Sequence, residues 1–228
     1  IGSAGCYTRK SNDTDKISHE CPLDTGGYFI INGMEKALIA QERLRTNCPF
    51  VFALRNHTKY SLQAEVRSCA EGKLRSTSTL YIYLATPGSR KGSEMGELIV
   101  ELPFMQTKIP VLALFRLLGV ESAEAVSLVR GANFCEKKSR VLRAILECDS
   151  TADMNAEQLF DWLSREATNE STHERRTRYL THIISHEILP HMGTSNASEV
   201  RFKKAAYIGL VVRKLVRVHL GEIPPDDR

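Results

Sequence analysis

Three histidines fall close together late in the chain: His182 and His186, four residues apart, and His191 five further on. In a helix the first two imidazoles would share one face, as a zinc site requires. A hydrolase of the His-Glu-x-x-His kind needs a glutamate directly after the first histidine, to act as general base. Ile183 stands there instead, Glu187 follows the second histidine, and no cysteine lies at ligand spacing. Surface or capping histidines compete with a metal pair here. A stand-alone zinc-dependent hydrolase using His182/His186 is therefore kept as an alternative function.

Nucleophilic chemistry has no foothold. The sequence has no Gly-x-Ser-x-Gly elbow, no phosphate-cradling glycine loop and no paired-carboxylate signature. Glu65 and Glu101 alternate with apolar neighbours and read as a solvated strand face. No catalytic residue is assigned, and no cofactor or metal is expected in this chain.

Basic residues are more suggestive. At 3.6 residues per turn, Lys203, Arg213, Lys214 and Arg217 fall within a sector of roughly 100° on the last helix, while Tyr207, Ile208, Val211, Val212 and Leu215 serve a core. Lys137, Lys138, Arg140 and Arg143 form a second cluster. Such stripes suit either a solvated face or a surface that tracks phosphates.

The elements that must carry these groups are legible from period and punctuation. Residues 1–20 are polar, without apolar period, and read as a loop or cut edge. Tyr28–Ile31, Asn32-Gly33 and a second run reaching Glu42 predict a hairpin, because both central residues of a type I′ turn need positive φ. Gly26-Gly27 marks its entry. Strands are expected at Phe50–Leu54, Tyr60–Arg67, Ser78–Leu84 and Glu97–Leu102, with "TPGSRKGSEMG" an exposed loop. Pro110 then opens a helix that Gly119 closes, and further helices are expected at Ala123–Arg130, Cys135–Glu147, Ala156–Arg165, His173–Leu189 and Glu199–Leu220. The fold class is α+β: N-terminal antiparallel strands and a hairpin, followed by a predominantly helical C-terminal half.

Composition bounds the rest. A chain of 228 residues with 42% hydrophobic content builds a core, and a net charge of +4 from 31 basic and 27 acidic residues excludes a dedicated polycation. Six cysteines stand singly, so a disulfide scaffold is not expected. No apolar run approaches the roughly 18 residues of a membrane span. The chain is expected to be reduced, intracellular, soluble and, since it opens on Ile1, an excised or processed piece.

The hairpin region has a further meaning. Cys21-Pro22-Leu23-Asp24, then Gly26-Gly27-Tyr28-Phe29-Ile30-Ile31-Asn32-Gly33, Glu35-Lys36 and Leu38-Ile39-Ala40-Gln41-Glu42-Arg43 together resemble the second-largest subunit of multisubunit RNA polymerases, most of all the RNA polymerase II type. Landmarks continue in the family's order: Ala64-Glu65-Val66-Arg67-Ser68, Ser78-Thr79-Leu80, Leu102-Pro103-Phe104, Ile109-Pro110-Val111, Phe115-Arg116 with Gly119, Leu189-Pro190-His191 with Gly193, Lys204-Ala205 with Gly209, and Asp226-Asp227-Arg228. Between Ser122 and Arg178 the likeness is one of helical character alone. Met34 replaces the serine usual after Asn-Gly.

The resemblance implies two domains: residues 1–52, the end of a protrusion-like segment with the Asn-Gly hairpin, and 53–228, a lobe-like domain with strands over 53–103 and helices over 109–220. It implies a wall of the DNA cleft, with the catalytic magnesium bound elsewhere in the parent enzyme, so that this piece is enzymatic only by membership of a nucleotidyltransferase. Its implied partners are other RNA polymerase subunits, general transcription initiation factors, and DNA with the DNA-RNA hybrid, with no membrane. The implied location is the nucleus, or a viral factory or virion for a large DNA virus. Gln41, Arg43 and Arg45 are the implied nucleic-acid-facing residues, since guanidinium forks pair with phosphate oxygens. Pairing of Arg43 and Arg45 with Glu35, Glu42 or a neighbouring strand is the alternative.

Overall fold

The computed structural model describes residues 21, 23–54, 59–70, 77–86, 88, 96–105, 107–131, 142–143, 154–168 and 172–227. The expected loop over 1–20, most of "TPGSRKGSEMG", nearly all of the Cys135–Glu147 helix, and Lys137, Lys138 and Arg140 lie outside them. The chain divides into two compact units, Ile1–Leu44 and Arg45–Arg228.

In the first unit, β1 (Tyr28–Ile31) pairs antiparallel with β2 (Met34–Ala37). Asn32 and Gly33 carry φ of 51° and 74°, the two positive values that a type I′ turn demands. At the entry, the Asp24 carboxylate accepts from the Gly26 N–H at 2.8 Å and from the Tyr28 hydroxyl. β2 stops at Ala37 rather than running to Glu42. The four residues of β1 are exhausted by the register Tyr28↔Ala37, leaving Leu38 to Glu42 no strand to pair with.

The second unit is a five-stranded antiparallel meander backed by helices. Its strands are β3 (Pro49–Ala53), β4 (Tyr60–Ser68), β5 (Ser78–Ala85), β6 (Leu98–Glu101) and β7 (Lys108–Pro110), in that spatial order. Period-2 alternation divides them cleanly. The row Val51↔Ala64↔Ile82↔Val100↔Ile109 crosses all five strands, and every member is buried. The adjacent row Phe50↔Glu65↔Tyr81↔Glu101↔Lys108 faces the other way.

That second face is less wet than alternation suggests. Glu65 was expected to be solvated, yet it is 4% exposed, between Phe50 and Tyr81 in the register, and takes a hydrogen bond from Arg67 Nε at 2.6 Å. Aromatic neighbours shield it, and the guanidinium two residues on supplies the counter-charge. Lys108 lies 4.2 Å from the Tyr83 ring centre and 4.8 Å from that of Tyr60, a cation over two π faces, and pairs with Glu101 at 3.0 Å.

β7 corrects the expectation that helix begins at Pro110. Ile99↔Pro110 closes the ladder first, and α1 (Val111–Leu117) starts one residue later. Proline has no N–H to give, which costs nothing at the end of an edge strand. Helices α2 (Ser122–Arg130), α3 (Ala156–Ala167), α4 (His173–His182) and α5 (Ser198–His219) follow. α5 lies against β3 and β4, α1 against β6 and β7, and α3 packs on both α1 and α4. The apolar positions Ala205, Ile208, Val212, Leu215 and Val216 of α5, at helical spacing, are fully buried. Each large aliphatic among them contributes on the order of 1.5–3 kcal/mol. α5 crosses α2 at Gly209, where an added Cβ would sit 3.3 Å from Leu128 backbone and side chain.

The expected single helix over His173–Leu189 breaks into α4, a π turn (Ile183–Glu187) and a short 3₁₀ turn (Pro190–Met192). Ser185 bonds back to Thr181 O at 2.7 Å, Leu189 adopts φ 47°, and Pro190 cannot continue the ladder.

A clasp seals the free edge of β3. Asp226 N–H donates to Val51 O at 2.7 Å, its carboxylate accepts from Val51 N–H at 2.7 Å, and Lys214 Nζ donates to both Asp226 (2.7 Å) and Pro49 O (2.9 Å). The edge thus presents fewer open hydrogen-bonding groups.

Candidate nucleic-acid interface

Gln41, Arg43 and Arg45 are all exposed on irregular backbone after β2. Among the described residues neither arginine forms an ion pair, with Glu35, Glu42 or any other carboxylate. Gln41 and Arg43 belong to the first unit, and Arg45 opens the second. Among the described residues no hydrogen bond or ion pair joins the three side chains.

The basic stripe of α5 has a structural use. Arg213 donates from Nε to Val129 O and from its terminal nitrogen to Leu128 O, both at 2.7 Å, satisfying carbonyls that the end of α2 leaves open. Gly131, at φ 57°, makes room for that guanidinium: a Cβ there would lie 2.5 Å from it. Lys214 holds the clasp, Arg217 meets Glu222 at 3.0 Å and Lys203 meets Glu199 one turn away. Little of the stripe is left for phosphate.

The histidines do not converge on a metal. The rings of His182 and His186 stack at 4.5 Å with planes 19° apart, which sends their lone pairs alongside one another rather than to one point. His186 Nδ1 is 2.7 Å from Ser185 Oγ, and His191 Nδ1 is 2.7 Å from Ser68 Oγ. Among the described residues no group of three His, Cys, Asp or Glu is placed to hold a metal ion. The zinc-hydrolase alternative is not supported.

His191 anchors a half-buried polar cluster instead. Its backbone N–H also donates to Ser68 Oγ at 3.3 Å, and its ring meets Tyr207 edge-on at 4.9 Å. The Tyr207 hydroxyl donates to Asn47 O at 3.0 Å. Burial, then the neighbouring Lys204 charge, hold the His191 imidazole below its ordinary pKa of 6.5. Lys204 is 1% exposed and burial pushes its amine down to about 8.

One cationic feature escaped the sequence reading. Arg175, Arg178, Tyr179 and His182 of α4, with Thr168 beyond α3, line an open groove of about 530 Å³. The i, i+3, i+7 spacing of Arg175, Arg178 and His182 is the sequence signal for this face.

Comparison with known proteins agrees with the landmarks. Residues 45–228 match the family model described as RNA polymerase Rpb2, domain 2, the same span as the second compact unit. DNA-directed RNA polymerase II subunit 2 of Arabidopsis thaliana is 39% identical over 232 residues, covering all of this chain and 19% of the plant protein. DNA-directed RNA polymerase II subunit RPB2 of Encephalitozoon cuniculi is 33% identical over 231 residues, again all of this chain and 19% of the relative. Subunit Rpo2 of Saccharolobus solfataricus is 29% identical over 213 residues, 92% of this chain and 17% of the archaeal protein. The chain therefore spans about a fifth of the length of these relatives. With its ordered motifs, its antiparallel sheet backed by helices and a domain-length match, the chain belongs to the RNA polymerase Rpb2 family, residues 45–228 being its domain 2.

Proposed function

We propose that this chain is the lobe, with part of the protrusion, of an RNA polymerase II-like second-largest subunit, cellular or from a large DNA virus. It forms one wall of the DNA cleft, works beside other polymerase subunits in the nucleus or a viral factory, and offers surface to general transcription initiation factors. The coincidence of the family match with the compact unit beginning at Arg45 carries this reading. The magnesium ions of nucleotidyl transfer belong elsewhere in the assembly, because two metals about 4 Å apart need a carboxylate cluster. No such cluster is found among the described residues. Purified chain, freed of contaminating polymerase, incorporates no labelled nucleotide on this reading.

Gln41, Arg43 and Arg45 are the proposed contacts to the nucleic-acid backbone. Their exposure and the lack, among the described residues, of a carboxylate partner for either arginine support this over the solubilising alternative. Two guanidinium forks neutralise few phosphates, so contact is non-specific and its salt dependence shallow. Arg43→Ala with Arg45→Ala in the assembled polymerase should shorten elongation-complex lifetime and flatten its dependence on salt. An unchanged lifetime at every ionic strength assigns both arginines a structural role only.

A further inference from the structure

We propose that the groove of α4 binds the sugar-phosphate backbone of nucleic acid, with Arg175 and Arg178 as the phosphate contacts and Tyr179 as a platform between them. This deepens the proposed reading and rests on it for the presence of nucleic acid, but the argument for the groove is its own. Arg175 and His182 stand two turns apart, about 10 Å along the helix axis, with Arg178 and Tyr179 between them. All four lie on one face of α4 and line the same depression.

The lining chooses the partner. Arginine is a donor without acceptor capacity, and threonine, tyrosine and histidine each carry a donor as well. Arginine, threonine and tyrosine are among the side chains that contact phosphates in protein-DNA interfaces. A phosphodiester chain presents acceptors and repeated negative charge, and so matches this lining at every step. A peptide also presents N–H groups, and these would find acceptors only on Thr168, Tyr179 and His182, since among the described residues no carboxylate or carboxamide lines the groove. Of the carboxylates around it, Asp161 pairs with Arg165 and His173 and Glu187 lies 3.9 Å from His182, while Glu174 is exposed on α4 one turn before Arg178. Tyr179 is 38% exposed, and an aromatic ring is a platform on which a base of any sequence can rest.

The test is fluorescence anisotropy of the purified chain with fluorescein-labelled DNA of mixed sequence, single-stranded and duplex, across a potassium chloride series. Wild type should bind with Kd of about 10⁻⁴ to 10⁻⁶ M and no sequence preference. Arg175→Gln with Arg178→Gln should weaken binding about tenfold and lower the duplex salt slope by about 1.8, the value for two phosphates. Lys203→Gln with Arg217→Gln, which removes two exposed cations elsewhere that are paired with Glu199 and Glu222, should leave the slope unchanged. Arg178→Glu alone, checked by circular dichroism, serves if the double variant unfolds, and should abolish measurable binding. Equal affinity of the groove variant and wild type overturns the inference, as does no binding by wild type. If polyglutamate binds as tightly as DNA, with the same dependence on Arg175 and Arg178, the partner is an acidic protein and the inference also falls. Arg43→Ala with Arg45→Ala, run in parallel, separates the two readings: loss in that variant alone removes the groove and leaves the cleft segment standing.

Discussion

The Lys204 ammonium donates to the carbonyl oxygen of Ser185 across 2.6 Å, and to that of Ile184 at 3.0 Å, joining the middle of α5 to the π turn that ends α4. Two backbone acceptors freed by the irregular turn are thereby satisfied by a side chain twenty residues away. No carboxylate takes part in these bonds.

Lys204→Met should therefore destabilise the second unit by about 2–4 kcal/mol, since two buried carbonyls lose their donors while the aliphatic volume is kept. Urea denaturation of the two proteins measures this. A difference below 0.5 kcal/mol, on the order of a neutral surface change, would show that the turn relaxes to find other donors.

Stability should also carry two arms in pH. Burial lowers the folded pKa of Lys204 to about 8 from 10.5, so between these values the unfolded chain binds more protons and stability rises with pH. His191 is held below 6.5 when folded, so stability is lost as pH falls through about 6.5, where the unfolded imidazole charges first. Melting temperatures of wild type, Lys204→Met and His191→Gln across pH 5 to 10.5 check this. The first variant should lose the alkaline rise and the second the acidic fall.

Gly209→Val should separate α5 from α2. The backbone of Leu128 lies 3.3 Å from where a Cβ would stand, and a branched side chain there overpacks by about 1–3 kcal/mol. A thermal melt is sufficient, and an unchanged midpoint would mean that the helices slide apart freely.

Arg67→Met removes the counter-charge of a carboxylate that is 4% exposed. Arg67 itself is 40% exposed, so screening reduces the loss below that of a fully buried pair, to about 1–2 kcal/mol. Glu65→Gln in the same background should recover part of it, because the neutral amide needs no counter-ion.

Much of the fold was legible because its signals are local. Asn32-Gly33 needs only its own two φ angles, and four strands were placed within a residue or two by β-branched and aromatic runs. Pro110 was misread because its lack of an N–H suits a strand end as well as a helix start, and only the pairing with Ile99 decides. The site was harder for the opposite reason. Arg213 and Lys214 look like free cations on a helical wheel, but their partners are carbonyls at Leu128, Val129 and Pro49 and a carboxylate at Asp226, all distant in sequence. Glu65 read as wet for the same reason: the rings that shield it come from other strands.

The clasp between Asp226 and Val51 has a mechanical consequence. The segments leading into β3 and away from α5 meet at one sheet edge, tied by two hydrogen bonds and the Lys214 bridge. Tension applied between those segments is borne first by the clasp, which passes it to β3 at Val51 and to α5 at Lys214. A unit anchored in this way can be pushed and pulled by a moving neighbour as a rigid body, with the clasp acting as its fuse.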